Sequence, residues 1–131
     1  MRRRQPLLTS RGHSLGISRI LTALVAAAIL VASLLPFESP PGGPFTDKIL
    51  HLAAYVLLGL LLFLATGKKG PAVVLASIGF CTAYGGLIEI VQPLFGRSRE
   101  LADWIVDFAG ASVGTFLGVP ARGLLARVAA G

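Results

Sequence analysis

Charged residues divide the chain into four long apolar stretches. Residues 20–37 carry no charge, residues 49–67 carry none either but contain His51, and residues 70–96 carry only Glu89. The last stretch, residues 108–121, is shorter. It reaches spanning length only if it starts near Leu101 and takes in Asp103 and Asp107. A helix that crosses a bilayer needs about 20 predominantly apolar residues. The pattern therefore predicts helices over 18–36, 47–66, 71–92 and 101–119. Pro36, Pro40, Pro41 and Pro44 with Gly42 and Gly43 predict a stiff first connection. Pro71 suits the first turn of the third helix, and Pro93 and Pro120 are expected to close the third and fourth. The expected architecture is all-α, an integral membrane four-helix bundle. A basic segment over 1–17 precedes it and a short basic tail over 120–131 follows.

Composition narrows the class further. Of 131 residues, 54% are hydrophobic and only 14% are charged, where a soluble domain carries about 25% charged residues. A chain this small buries only about two-thirds of its unfolded surface, so a soluble fold would display much of that apolar excess to water. A disordered chain, a disulfide scaffold and an ordinary soluble enzyme are excluded. Cys81 is alone in an apolar run and reads as core packing.

The net charge of +6 would suit nucleic acid if it formed a patch on a soluble surface. No aromatic interleaving or nucleic-acid motif accompanies it, so no such partner is expected. In a membrane protein Lys and Arg act as topology signals. Arg2, Arg3, Arg4, Arg11, Arg19, Lys68, Lys69, Arg122 and Arg127 fall on one side of four spans; Lys48, Arg97 and Arg99 fall on the other. That bias predicts both termini in the cytoplasm. The first apolar run is longer than the roughly 7–15 residues of a cleaved signal core, so it is read as a retained span.

The remaining polar residues concentrate at the opposite, outer boundary. Asp47, Lys48, His51 and Tyr55 open the second helix, and spacings of three and four stack them on one face. Glu89 and Gln92 share a face at the end of the third helix, Arg97 lies in the loop that follows, and Asp103 and Asp107 stand one turn apart in the fourth. Glu89 lies about 6 Å along the axis inside Pro93, too far in to be a loop charge. Ionisable groups at membrane depth are costly and usually face protein or water. Gly110, Gly114 and Gly118 recur every four residues and strip one face of the fourth helix, which allows a neighbouring backbone to approach. This stripe is read as packing within the monomer, with no oligomeric state assigned. Along the tail, Leu124, Leu125 and Val128 share a face, which fits either a short interfacial helix or a frayed end.

These residues also carry a resemblance. The run Asp47-Lys48-Ile49-Leu50-His51-Leu52-Ala53-Ala54-Tyr55, followed by Leu58-Gly59, resembles the signature of the VanZ-like family. So does the second block: Glu89 and Gln92, then Gly96-Arg97-Ser98, Asp103, Asp107, Gly110-Ala111 and Gly114. The resemblance spans about residues 47–118 and departs from the family in a tight connection from Gln92 to Arg97. It implies a small helical protein of the bacterial inner membrane, in a family named for a teicoplanin-resistance protein and associated with lowered susceptibility to that drug.

Three readings of the polar residues stand side by side. In the structural one, Asp47 and Asp103 cap their helices, Asp103 pairs with Arg97 or Arg99, and Glu89 pairs with Lys48 or His51. In the binding one, Lys48, His51, Gln92 and Arg97 receive a phosphate or carboxylate, with the acids orienting them. The candidate partners are then a lipid headgroup, a cell-wall lipid intermediate or a lipoglycopeptide at the outer leaflet. In the enzymatic one, His51 with Glu89 or Asp107 forms an acid–base pair or a divalent-metal site. No second nearby histidine, HExxH motif or recognisable Ser or Cys nucleophile supports catalysis. The expectation is a non-enzymatic protein with no cofactor and no resident metal.

Overall fold

A computed structural model describes residues 7–35 and 42–128, with side chains from residue 12 onward. Four α-helices follow one another: α1 (Leu7–Leu34), α2 (Gly43–Ala65), α3 (Pro71–Val91) and α4 (Leu101–Val128). A 3-10 turn, Gln92–Phe95, extends α3. All four helices are long and apolar enough to cross a membrane, and the described residues contain no strand. The chain is a multi-pass membrane protein. Its outer surface bears Ile20, Leu24, Leu75, Phe80, Ile105 and Phe116, all exposed as lipid-facing side chains are. Most of the proline-rich connection, and Arg2, Arg3 and Arg4 of the basic segment, lie outside the described residues.

Three helices run further than the sequence predicts, α2 by four residues at its start and α1 and α4 by more. α1 begins at Leu7 rather than near residue 18. Ser18 and Thr22 bond back to the carbonyls one turn earlier, and Leu15 lies over Gly67 at the turn after α2. α4 continues through Pro120 to Val128 instead of ending at 119. Proline removes one helical hydrogen bond and crowds the preceding turn, a break that membrane helices tolerate when neighbouring groups compensate. Here the turn beyond Pro120 is anchored: Arg122 donates from Nη2 to the carbonyls of Phe63 and Leu64 and stacks over the Phe63 ring, 4.4 Å from its centre. Arg19 adds a bond from Nε to the Ala65 carbonyl at 3.3 Å. The last carbonyls of α2, which have no helical donor, are thus met by two guanidinium groups.

The tightest contact joins α2 to α4, backbone to backbone. A Cβ on Gly110 would stand 2.6 Å from the Leu52 carbonyl oxygen, and one on Gly114 would overlap the Val56 backbone. One on Gly118 would lie 2.6 Å from Phe63, and Gly59 on α2 meets the Ala111 carbonyl in the same way. The core beside this seam holds Tyr55, Leu58, Cys81, Ile88 and Ala111. α3 joins through Trp104, whose Nε1 donates to the Thr82 carbonyl at 2.9 Å. α1 is more loosely attached; Tyr84 ties it down by donating to the Ala26 carbonyl at 2.6 Å.

Candidate functional site

Close packing of α2 on α4 determines which polar groups meet. Lys48 sits one helical turn from the start of α2 and reaches across to α4. Its Nζ donates to Asp103 Oδ1 at 2.8 Å and Glu100 Oε2 at 3.1 Å. One turn deeper, His51 Nδ1 meets Asp107 Oδ1 at 2.9 Å, while its Nε2 faces Asp47 Oδ2 at 4.0 Å. Asp107 is 2% exposed, so this pair is largely shielded from solvent. Tyr55 follows on the same face of α2. Its buried hydroxyl meets no hydrogen-bond criterion among the described residues, and Gly85 of α3 faces both it and Asp107 Oδ2. The missing side chain at Gly85 makes room for these two polar groups.

Glu89 belongs to a separate junction. Its Oε2 accepts the backbone N–H of Glu100 at 2.9 Å, fastening the end of α3 to the residue before α4. The buried Gln92 amide lies beside it and near the Ser33 carbonyl of α1. With its nitrogen turned toward the acid, it donates to Oε1 and Oε2 at 3.2 and 3.1 Å, the orientation in which no amide oxygen faces a carboxylate. Arg97 forms no ion pair among the described residues. Its Nη1 donates to the Ala32 carbonyl of α1 at 3.3 Å.

Several pairings expected from sequence are therefore replaced. Asp103 pairs with Lys48 rather than with Arg97 or Arg99, because α4 turns its acids toward α2. Glu89 pairs with neither Lys48 nor His51, because its carboxylate is taken by the Glu100 amide and Gln92. Asp47 does not cap α2, which starts four residues earlier with Gly42 at the cap position. Lys48 and Gln92 are committed to acids, which removes two of the four groups expected to receive an anion. Glu100 is the participant that the motif reading left out. It was visible only as one more acid before the fourth helix, and nothing in its spacing marks it as a partner of Lys48. Gly110, Gly114 and Gly118 lie along the α2–α4 seam, below the polar cluster.

The cluster opens into a cavity of about 730 Å³ between α1 and α2. One wall is apolar, with Val25, Ala28 and Ile29 on α1 facing Ala54 and Leu57 on α2. The polar end carries Asp47, Lys48, His51, Arg97 and Glu100. Asp47, His51 and Asp103 also bring three ligand atoms within 4.8 Å of one another, a set that resembles a loose divalent-cation site. Lys48 already holds Asp103 there, so an ion would have to displace an ammonium group.

A sequence model of the family described as VanZ/LLP1 matches residues 7–122. No curated protein and no solved structure matches the chain.

Proposed function

The chain belongs to the VanZ/LLP1 family, and on that premise we propose that it is a non-enzymatic envelope protein that binds an amphiphile of the outer leaflet. The cavity between α1 and α2 is the observation that carries this reading. Its volume falls within the range of about 300–1,000 Å³ found for small-molecule sites, which are mostly apolar with a few convergent polar groups. An acyl or prenyl chain suits the wall of Val25, Ala28, Ile29, Ala54 and Leu57, and a polar head suits the end near Asp47, His51 and Arg97. In this reading the protein sits in the bacterial inner membrane with both termini in the cytoplasm. A lipid, a cell-wall lipid intermediate or a lipoglycopeptide would enter from outside. Lowered teicoplanin susceptibility would follow if the cavity captures the drug's acyl tail or a lipid-linked cell-wall intermediate.

Two measurements test it. Filling the apolar wall with Ala54→Phe is expected to abolish retention of amphiphile in native mass spectrometry of gently extracted protein, while the protein still elutes as a single species. Unchanged retention would remove the cavity from the reading. For the orientation, cysteine at Ser98 in a Cys81→Ala background is expected to react with an impermeant thiol reagent in intact spheroplasts, and cysteine at Lys68 is not. The reverse pattern would move the site to the inner leaflet.

One observation favours a second reading. The His51–Asp107 contact has the geometry of an oriented imidazole, and His51 lines the cavity. An acid–base role would show as turnover of a captured amphiphile that His51→Gln abolishes without altering its retention.

A further inference from the structure

The charges lining the cavity are unequally committed. Lys48 is neutralised by Asp103 and Glu100, and His51 is held through Nδ1 by Asp107. One ammonium shared by two carboxylates leaves the Asp103–Glu100 pair with a net negative charge, and two further lining residues of opposite sign lie outside these pairs. Asp47 has only His51 Nε2 at 4.0 Å as an ionic neighbour among the described residues, and Arg97 has no carboxylate within ion-pair distance there. Both line the cavity, and neither is deeply buried. An occupant that complements this end must bring a cation and an anion together, joined to a chain that can lie along Ala28, Ile29, Ala54 and Leu57.

Building on the amphiphile reading above, we propose that the cavity takes a zwitterionic phospholipid with a primary ammonium head. The ammonium bonds to the Asp47 carboxylate, which lines the cavity beside His51. The phosphodiester meets the Arg97 guanidinium, whose planar fork matches two phosphate oxygens. A trimethylammonium head offers no N–H to that carboxylate. An anionic glycerol head would leave Asp47 facing hydroxyls with its charge unmatched. The arrangement therefore discriminates among heads that share the same tails.

The test uses full-length protein reconstituted in vesicles of phosphatidylethanolamine, phosphatidylglycerol and phosphatidylcholine in equal parts with identical acyl chains. Retained lipid is counted by native mass spectrometry after mild extraction. Phosphatidylethanolamine is expected to exceed each of the others by about five-fold, the scale of one partly exposed ion pair. Asp47→Asn should bring its ratio to phosphatidylcholine close to one. Arg97→Gln should lower retention of all three lipids and leave that ratio unchanged. Both side chains are partly exposed, and an unchanged thermal midpoint verifies that each variant is folded. Phosphatidylglycerol retained at or above phosphatidylethanolamine, or all three at their bulk ratio, overturns this proposal but leaves amphiphile binding intact. No retained lipid from the parent protein, matching Ala54→Phe, overturns both.

Discussion

Replacing Gly114 with leucine is expected to destabilise the protein severely. At this position the α4 backbone lies directly on the carbonyl of Val56 in α2, and even a Cβ would overlap that peptide group. The obstacle is backbone, which cannot rotate aside as a side-chain tip can. The two helices must separate, and the seam of Gly59, Gly110, Ala111 and Gly118 opens with them. Overpacking a well-filled core costs about 1–3 kcal/mol, and a backbone clash lies at or beyond the upper end. A loss of about 3 kcal/mol is a large share of a stability of roughly 5–15 kcal/mol. The expected result is aggregated or degraded protein in fluorescence-detected size exclusion. Gly79→Ala provides the contrast, since a Cβ there meets nothing within 4 Å. It exchanges glycine for the best helix former and is expected to raise the thermal midpoint slightly. A Gly114→Leu protein with the parent's midpoint would contradict the α2–α4 contact itself.

Asp107→Ala is expected to produce the second large loss. The carboxylate is buried and holds His51 Nδ1, so its removal leaves a shielded imidazole without its acceptor. Breaking a buried pair in this way costs about 3–5 kcal/mol, and less where water reaches one partner, so about 2–3 kcal/mol is expected here. Asp107→Asn keeps the shape and an acceptor oxygen, and should be far milder. Replacing both partners, His51→Leu with Asp107→Leu, should recover most of the loss, because an apolar pair strands no polar group. Thermal unfolding in detergent of the single and double variants gives the coupling directly. If Asp107→Ala and the double variant are equally unstable, the pair does not hold the helices as described. Recovered stability without recovered amphiphile retention would separate the pair's packing role from its role beside the cavity.

These effects also mark how far the sequence could be read. The four spans were legible because a charge inside a bilayer is costly, so gaps between charges report helices directly. The glycine stripe was legible for a similar reason, since three small residues at a spacing of four have few other uses. The ends of α1 and α4 were not. The added turns of α1 seat Leu15 over Gly67 at the turn after α2, and α4 extends beyond its apolar window because Arg122 reaches the end of α2 from a distant part of the chain. Pro120 looks like a stop until that anchor is seen. In the polar cluster, periodicity identified which residues share a face, and Asp47, Lys48, His51, Asp103 and Asp107 do converge. Their partners depend on the rotation of α4 about its axis, which is set by where glycines let it seat on α2. No local spacing encodes that rotation. For this reason Glu89 went unassigned to the Glu100 amide, and Lys48 to Glu100.

Because the cluster draws its halves from α2 and α4, it is complete only when the last helix has been synthesised. Lys48 and Glu100 are 52 residues apart in the chain, and His51 and Asp107 are 56 apart. At about 5–20 residues per second, translation separates the partners by about 3–10 s. Throughout that interval Asp47, Lys48 and His51 stand at the membrane boundary with no counter-charge from α4. A nascent chain arrested after α3 therefore holds Lys48 without the two carboxylates that pair with it in the finished protein, and His51 with Asp47 beside it but not Asp107. The insertion machinery must keep α2 close to water, or beside a polar surface of its own, until Glu100, Asp103 and Asp107 leave the ribosome.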